Sequence, residues 1–441
     1  MCKIQEVGIM PIMDTRHETM SRDELRQLQL ERLQAILNRV MRNVDFYQKW
    51  FRDANILPQD FRSLDDLSLL PLINRQTLVE NHPYGMFAVP LRDVVRLHPS
   101  QTGVGETVVI GHTKNDIYVW TNLKARGFAA AGITESDMVL VYLDYTLFPG
   151  AVVAHYGAEQ LGACVTPLYN TPIAEQIQIM MNYRTTVLIC TPNRAIHVVR
   201  YLHEKGIDPK KLFLRKVILV GESWSPKIRL QIKESLMVDV YGNFGVTEIC
   251  IPGIASECEE VNGLHINEDH FLPEIVDPNT GDVLPFGERG ELVITTLTKE
   301  AFPLIRYRTG AFTHLTANLC PCGRTFVRMA NVAFRTDDIL EVDGVEFIPT
   351  EIKNILSRIE DVTTGFRLVI HREGSRDRLE VEVEITPEIF QDKLGALEAL
   401  RERIEEAIYE RIRLKPIIKM VEPRRLEDHE RVVDLRNQEH E

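Results

Sequence analysis

The chain has 441 residues, 44% of them hydrophobic and 26% charged, and carries 51 Lys and Arg against 64 Asp and Glu, for a formal net charge of −13. A chain of this length makes two or three domains with cores of normal size, and its acidic balance argues against nucleic acid, whose binding leans on clustered Lys and Arg. The first twenty residues show no signal peptide and no apolar run is long enough to span a membrane, while seven cysteines form an odd set; free or metal-bound thiols in a reducing cytoplasm are the expectation.

In chain order, Leu25, Leu28, Leu33, Ile36, Leu37 and Val40 recur at helical spacing and predict one helix over 21–51, opened by a capping box of Ser21 and Glu24. Next comes "RLHPSQTGVGETVVIGHT" (96–113), a loop before a strand-like run from Val108 to Ile110. Backbone N–H groups in such loops cradle phosphates, and Ser100, Thr102 and Thr107 add hydroxyls beside Gly103 and Gly105. Glu106 stands where a phosphate loop would want lysine, so the loop is either a cradle with altered charge or only a turn.

The middle of the chain alternates buried-strand runs, "DMVLVYL" (137–143), "CVTPLY" (164–169), "TVLICT" (186–191) and "KVILVG" (216–221), with amphipathic stretches. That alternation implies parallel strands with crossover helices, an α/β class. From about residue 251 short strands and turn dipeptides such as Asn279-Thr280-Gly281 predict an antiparallel β-rich subregion. Near Arg335 a last unit begins, with hairpin-like strands and helices over 350–359 and about 391–411, enough for a small α+β domain. The expected division is 1–334 and 335–441.

Cysteine spacing gives one further constellation. "CEEVNGLH" supplies Cys258 and His265, and "LCPCGR" supplies Cys320 and Cys322. Two thiolates, a third thiolate and an imidazole make a tetrahedral set suited to structural Zn²⁺; the alternative is buried free thiols beside an unrelated His. Cys164 and Cys190 read as core residues.

Nine segments in order, among them "NVDFYQKWF", "SLDDLSLLPLINRQTL", "YGMFAVPLRDVVRLHPS", "LFPGAVVAHYGAEQLGA", "VGESWSP", "YGNFGVTEI", "PLIRYRTGA" and "RTDDILEVDGVEFIP", resemble the phenylacetate–coenzyme A ligase family, a branch of the adenylate-forming ligases, over about residues 25–436. The resemblance implies a large N-terminal acid- and nucleotide-binding domain and a mobile C-terminal lid. It also implies activation of a small aromatic or other carboxylic acid with ATP and Mg²⁺, then transfer of the acyl group to coenzyme A.

By the same resemblance, Ser100, Thr102, Gly103 and Gly105 would hold phosphates, Tyr241 would face the adenine or acyl pocket, and Thr247 a phosphate. Glu248 would hold Mg²⁺, Arg308 would bind nucleotide, Arg335 would approach the ribose, and Asp337 would be the hinge. Tyr145, Phe148 and His155 would wall the acyl pocket, and some relatives carry the zinc site. Three positions depart from the family pattern: Glu106 for lysine, Ala311 for the ribose-binding aspartate, and "RRLEDHERVVD" (424–434) for a lysine-bearing tail. They open a second reading, an altered homologue that transfers a preformed acyl thioester or binds a ligand without adenylating efficiently. The acid, the acceptor and the oligomeric state are not fixed by sequence.

Overall fold

The computed structural model describes residues 12–100, 108–145, 149–168, 171–221, 224–250, 253–332, 334–335, 340–342, 345–347, 349–373, 376–386, 389, 394–422, 425–426 and 432–434. The chain divides into two compact units, Met1–Ala333 and Phe334–Glu441.

The N-terminal unit is built on a nine-stranded sheet whose parallel half has the order Asp239–Phe244, Lys216–Leu219, Val187–Cys190, Met138–Tyr142, Cys164–Pro167. The apolar runs read from sequence are these strands. All but the edge strand Cys164–Pro167 are largely buried on both faces, because crossover helices cover both sides. Phe128, Ala151, Ala154, Ala158 and Tyr241 pack on one face; Ile177, Ala195, Val198, Leu202 and Ile232 pack on the other. The chain leaves Met138–Tyr142 outward to Cys164–Pro167, then returns past it to Val187–Cys190. Such a reversal opens a crevice at the carboxyl ends of the strands, where ligands of open α/β sheets bind.

Beyond Asp239–Phe244 the sheet turns antiparallel through Ala255–Glu257, Leu264–Ile266, Arg328–Met329 and Leu315–Thr316. A separate antiparallel stack pairs Phe271–Val276 with Gly290–Thr296 and the latter with Tyr307–Thr313. The turn before Gly290 is closed as expected from Asp277-Pro278-Asn279-Thr280-Gly281: the Asp277 carboxylate accepts from the N–H groups of Asn279 and Thr280, and Gly281 takes φ +78°.

Two expectations need correction. The predicted single helix over 21–51 is two, Arg22–Asn43 and Asp45–Ala54, broken at Val44, which is extended and buried. Helical spacing does not register one residue leaving the spiral to aim a second helix inward. The capping box at Ser21 and Glu24 is present. Cys164 is exposed rather than core, because its strand is the sheet edge; Cys190, on an interior strand, is fully buried.

In the C-terminal unit four strands run in the order Ile417–Val421, Arg376–Ile385, Val362–Glu373, Val432–Asp434. The central pair is antiparallel, as the hairpin pattern predicts, and both outer strands are parallel to their neighbours. Leu368, Ile370, Leu379, Val381 and Val383 alternate inward against Leu400, Ile404 and Ile408, which recur every four residues along Leu394–Ile412. No helix among the described residues is long and apolar enough to cross a membrane.

Candidate active site and metal centre

The hairpin Arg96–Ser100 and Val108–His112 brackets the loop with the altered charge. Thr102, Gly103, Gly105 and Glu106 lie outside the described residues. Ser100, the last residue before the loop, is fully buried. Its Oγ donates to Glu248 Oε1 at 2.7 Å. Arg75 Nη1 meets the same Glu248 oxygen at 2.7 Å and Ser100 Oγ at 3.1 Å, while Nη2 donates to the Ser100 carbonyl at 3.0 Å.

Phosphate-loop root, metal-type carboxylate and a guanidinium thus form one corner. A carboxylate buried this deeply needs such a partner, because an unpaired buried charge is costly. Arg75 is the member of this corner that sequence reading missed. Arg75 opens the short helix Arg75–Glu80, where a cation is disfavoured by the dipole, but that oddity does not name its distant partner.

Two residues before Ser100, the same hairpin carries a neutral pair of imidazoles. His98 Nδ1 and His112 Nε2 lie 3.2 Å apart, and His112 stacks on Trp120 with ring centroids 4.9 Å apart. Burial, with Arg96 and Lys299 nearby, pushes His98 down to about 4 and holds His112 well below the ordinary imidazole range.

Glu248 and Thr247 follow the carboxyl end of Asp239–Phe244, where the crevice opens. Tyr241 does not face it: the ring is buried in the core under the helix Pro149–Gln160, with Lys216 Nζ 5.4 Å from its centroid. Strand alternation puts Phe244, partly buried at the strand end, on the opposite face and nearest to Thr247. Arg308 is also occupied otherwise. Its Nε and Nη2 grip Glu291 Oε2 at 2.8 and 2.5 Å, and Nη2 reaches the Pro278 carbonyl at 2.9 Å. Arg306 is paired with both oxygens of Glu274, Nε donating to Oε2 at 3.1 Å and Nη2 to Oε1 at 3.0 Å. Both arginines neutralise carboxylates of the antiparallel stack.

At the crevice end of Met138–Tyr142, Tyr145 Oη and His155 Nδ1 are 3.4 Å apart, and His155 Nε2 reaches Glu159 Oε1 at 3.0 Å. Burial pushes the Tyr145 phenol upward, keeping it neutral. Phe148 and Asp337 lie outside the described residues, as does the side chain of Arg335, which is in a two-residue strand.

The cysteine constellation is assembled. Ligand atoms of Cys258, His265, Cys320 and Cys322 all lie within 4.8 Å of one another, and all four residues are buried. Cys258 Sγ and Cys320 Sγ are 3.7 Å apart; Cys322 Sγ and His265 Nε2 are 3.4 Å apart. A tetrahedral zinc ion needs S···S edges of about 3.8 Å and S···N edges of about 3.6 Å from its usual bond lengths, so the donors fit. His265 Nδ1 lies 3.3 Å from the Phe326 carbonyl, which leaves Nε2 as the donor toward a metal.

Residues 344–436 match the family model described as "AMP-binding enzyme C-terminal domain". The phenylacetate–coenzyme A ligase of Thermus thermophilus is 40% identical over 437 residues, 95% of this chain and 98% of the relative. The enzymes of the same name from Pseudomonas putida and Escherichia coli are 40% and 39% identical over 84% and 83% of this chain and 84% of each relative. Among solved structures, 2-hydroxyisobutyryl-CoA ligase in its postadenylation state superposes with a TM-score of 0.82 at 26% identity, covering 95% of this chain and 91% of the other. These likenesses favour the ligase over the altered-homologue reading. With its crevice, its Glu248 corner and relatives alike over almost their whole length, this chain belongs to the phenylacetate–coenzyme A ligase family, acid–thiol ligases of the adenylate-forming, AMP-producing class.

Proposed function

We propose that the chain activates a small carboxylic acid, an aromatic one first among the class, with ATP and passes the acyl group to coenzyme A. One acid oxygen attacks the α-phosphorus of ATP and pyrophosphate leaves. The coenzyme A thiolate then attacks the carbonyl carbon of the mixed anhydride and AMP leaves. Mg²⁺, when bound, neutralises phosphate charge through oxygen ligands.

The observation that carries this reading is the corner where Ser100 and Arg75 both contact Glu248. It joins the loop root to the carboxylate that would receive the metal. Thr247, with Thr102, Gly103 and Gly105, would meet phosphate oxygens. Arg75 puts a guanidinium beside the loop whose own lysine position is Glu106, and guanidinium matches phosphate geometry well. The Tyr145–His155 pair supports an acyl pocket with Phe148, and Arg335 and Asp337 would serve ribose and hinge as residues 335–441 turn over 1–334. Zn²⁺ at Cys258, His265, Cys320 and Cys322 would be structural, since four protein donors leave no open position.

ATP–pyrophosphate exchange tests the reading. Phenylacetate, benzoate, 2-hydroxyisobutyrate and short-chain acids are offered in turn, and exchange with at least one is expected. Absence of exchange with all of them, together with no calorimetric binding of ATP, refutes it.

A further inference from the structure

The segment after Phe244 makes a single helical turn. The N–H groups of Ile249 and Cys250 both bond the Val246 carbonyl, at 3.0 and 2.9 Å. The carbonyls of Glu248 and Ile249 fall at the end of that turn, where a cation is the favoured neighbour. Lys299 supplies one. Its Nζ donates to the Ile249 carbonyl at 2.7 Å and reaches the Glu248 carbonyl at 3.4 Å.

Lys299 is only 9% exposed, and burying an ammonium is unfavourable unless it is well bonded. Beside it lies a cavity of about 30 Å³ lined by His112, Asp116, Trp120, Cys250 and Thr298.

The main chain around Lys299 is itself anchored. Asp116 accepts from the N–H groups of Glu300 and Ala301 at 2.7 and 3.0 Å. Thr113 Oγ1 donates to Glu300 Oε2 at 2.8 Å. Thr113 and Asp116 are also the capping box of the helix Lys114–Ala130. An unbroken series of bonds therefore runs from the cap of a long helix, through Lys299, to the backbone that bears Glu248.

We propose that Lys299 is a positioning residue for adenylation: it clamps the main chain at residues 248 and 249, so that the Glu248 carboxylate is fixed where the metal must meet it. The proposal rests on the adenylation reading above. It assigns Lys299 no contact with substrate. Metal sites held by a carboxylate lose affinity when the groups orienting that carboxylate are removed.

Three variants test it. Lys299→Met keeps the shape of the stem and removes the charge. Lys299→Ala leaves space that ethylammonium can fill. Leu123→Ala, in the wall of the same cavity, is a destabilised control that removes neither Lys299 nor the carbonyls it bonds. In K299M the Mg²⁺ concentration for half-maximal pyrophosphate exchange is expected to rise about tenfold, while KM for the acid stays within threefold. Backbone amides of residues 249 and 250 exchange faster with deuterium, and those of Val187–Cys190 do not. Ethylammonium, and not ethanol, restores K299A.

L123A is expected to lose thermal stability with its Mg²⁺ requirement unchanged. If K299M keeps both the Mg²⁺ requirement and the amide protection of the unsubstituted chain, the positioning role is overturned. If the unsubstituted chain exchanges no pyrophosphate at all while K299M still loses protection, the adenylation reading falls, and with it the catalytic purpose of the clamp.

Discussion

Two buried clusters in the N-terminal unit follow opposite plans. At Cys258, His265, Cys320 and Cys322 four donors converge within 4.8 Å, so an ion held by all four leaves nothing to exchange. At Glu248 the partners are Arg75 and Ser100, which also bond each other. On the proposed function such contacts would be replaceable: an arriving phosphate would take the guanidinium while its metal takes the carboxylate. Burial of ionisable groups is common to both; what separates a staple from a working site is whether their partners can be traded.

The largest effect is expected from breaking the staple. Cys320→Ser with Cys322→Ser removes half the donors, and structural zinc contributes on the order of 10 kcal/mol in small domains at neutral pH. The purified protein should carry one zinc by mass spectrometry of the metal, the double variant none. Chelator should lower the melting temperature of the parent and not that of the variant.

A third buried charge sharpens the contrast because it has neither plan. Lys124 lies fully buried, bonded to Asn243 Oδ1, with its ammonium 4.1 Å from the Phe128 ring centroid. Burial pushes it down from 10.5 to about 7. Between those values the unfolded chain keeps a proton that the native chain has released, so this residue makes stability rise with pH. Below about 7 both states hold the proton and the buried charge costs most. Lys124→Met should therefore stabilise the protein by up to ~4 kcal/mol more at pH 6 than at pH 10. Parallel denaturant titrations of parent and variant measure the difference, and a pH-independent gain would show that the lysine stays charged.

Glu248→Gln breaks the exchangeable corner. It keeps the shape and leaves Arg75 without its ion pair. Loss of a preorganised charge of this kind costs about 10²–10³ in rate, here in pyrophosphate exchange, with the melting temperature little changed. Unfolding in place of inactivity would make Glu248 a second staple and erase the distinction.

What sequence reveals of these clusters follows from their physics. The cysteine set was legible because thiolates and imidazole at close spacing have few other uses, and the parallel strands because burial on both faces leaves unbroken apolar runs. The corner was half legible. Ser100 and Glu248 stood in recognisable strings, but Arg75 lies 173 residues from the carboxylate it grips, and no local pattern reports a partner that distant. Tyr241 misled because it sits beside the right string with the wrong parity: in a strand, three residues separate opposite faces. Lys299 was hidden for another reason, since a lysine between Thr298 and Glu300 reads as surface until main-chain carbonyls are found waiting for it.

The smallest effect is expected at Ser21. Its Oγ and backbone N–H both meet Glu24 Oε2, at 2.6 and 3.1 Å, and Glu24 N–H returns to Oγ. The cap starts the helix whose next residue, Arg22, grips Glu268 with two nitrogens and touches the Thr325 carbonyl. Glu268 in turn accepts from the Val327 N–H at 2.6 Å, in the chain that leads out of Cys322. Ser21→Ala should cost about 1 kcal/mol, the usual worth of a serine cap, read as a lower denaturant midpoint. Because the cap leans on the staple side, zinc release by chelator should quicken slightly while pyrophosphate exchange per folded molecule stays at the parent value. An equal loss of exchange would mean that the two clusters are mechanically joined through this helix, and that the contrast between them is one of chemistry alone.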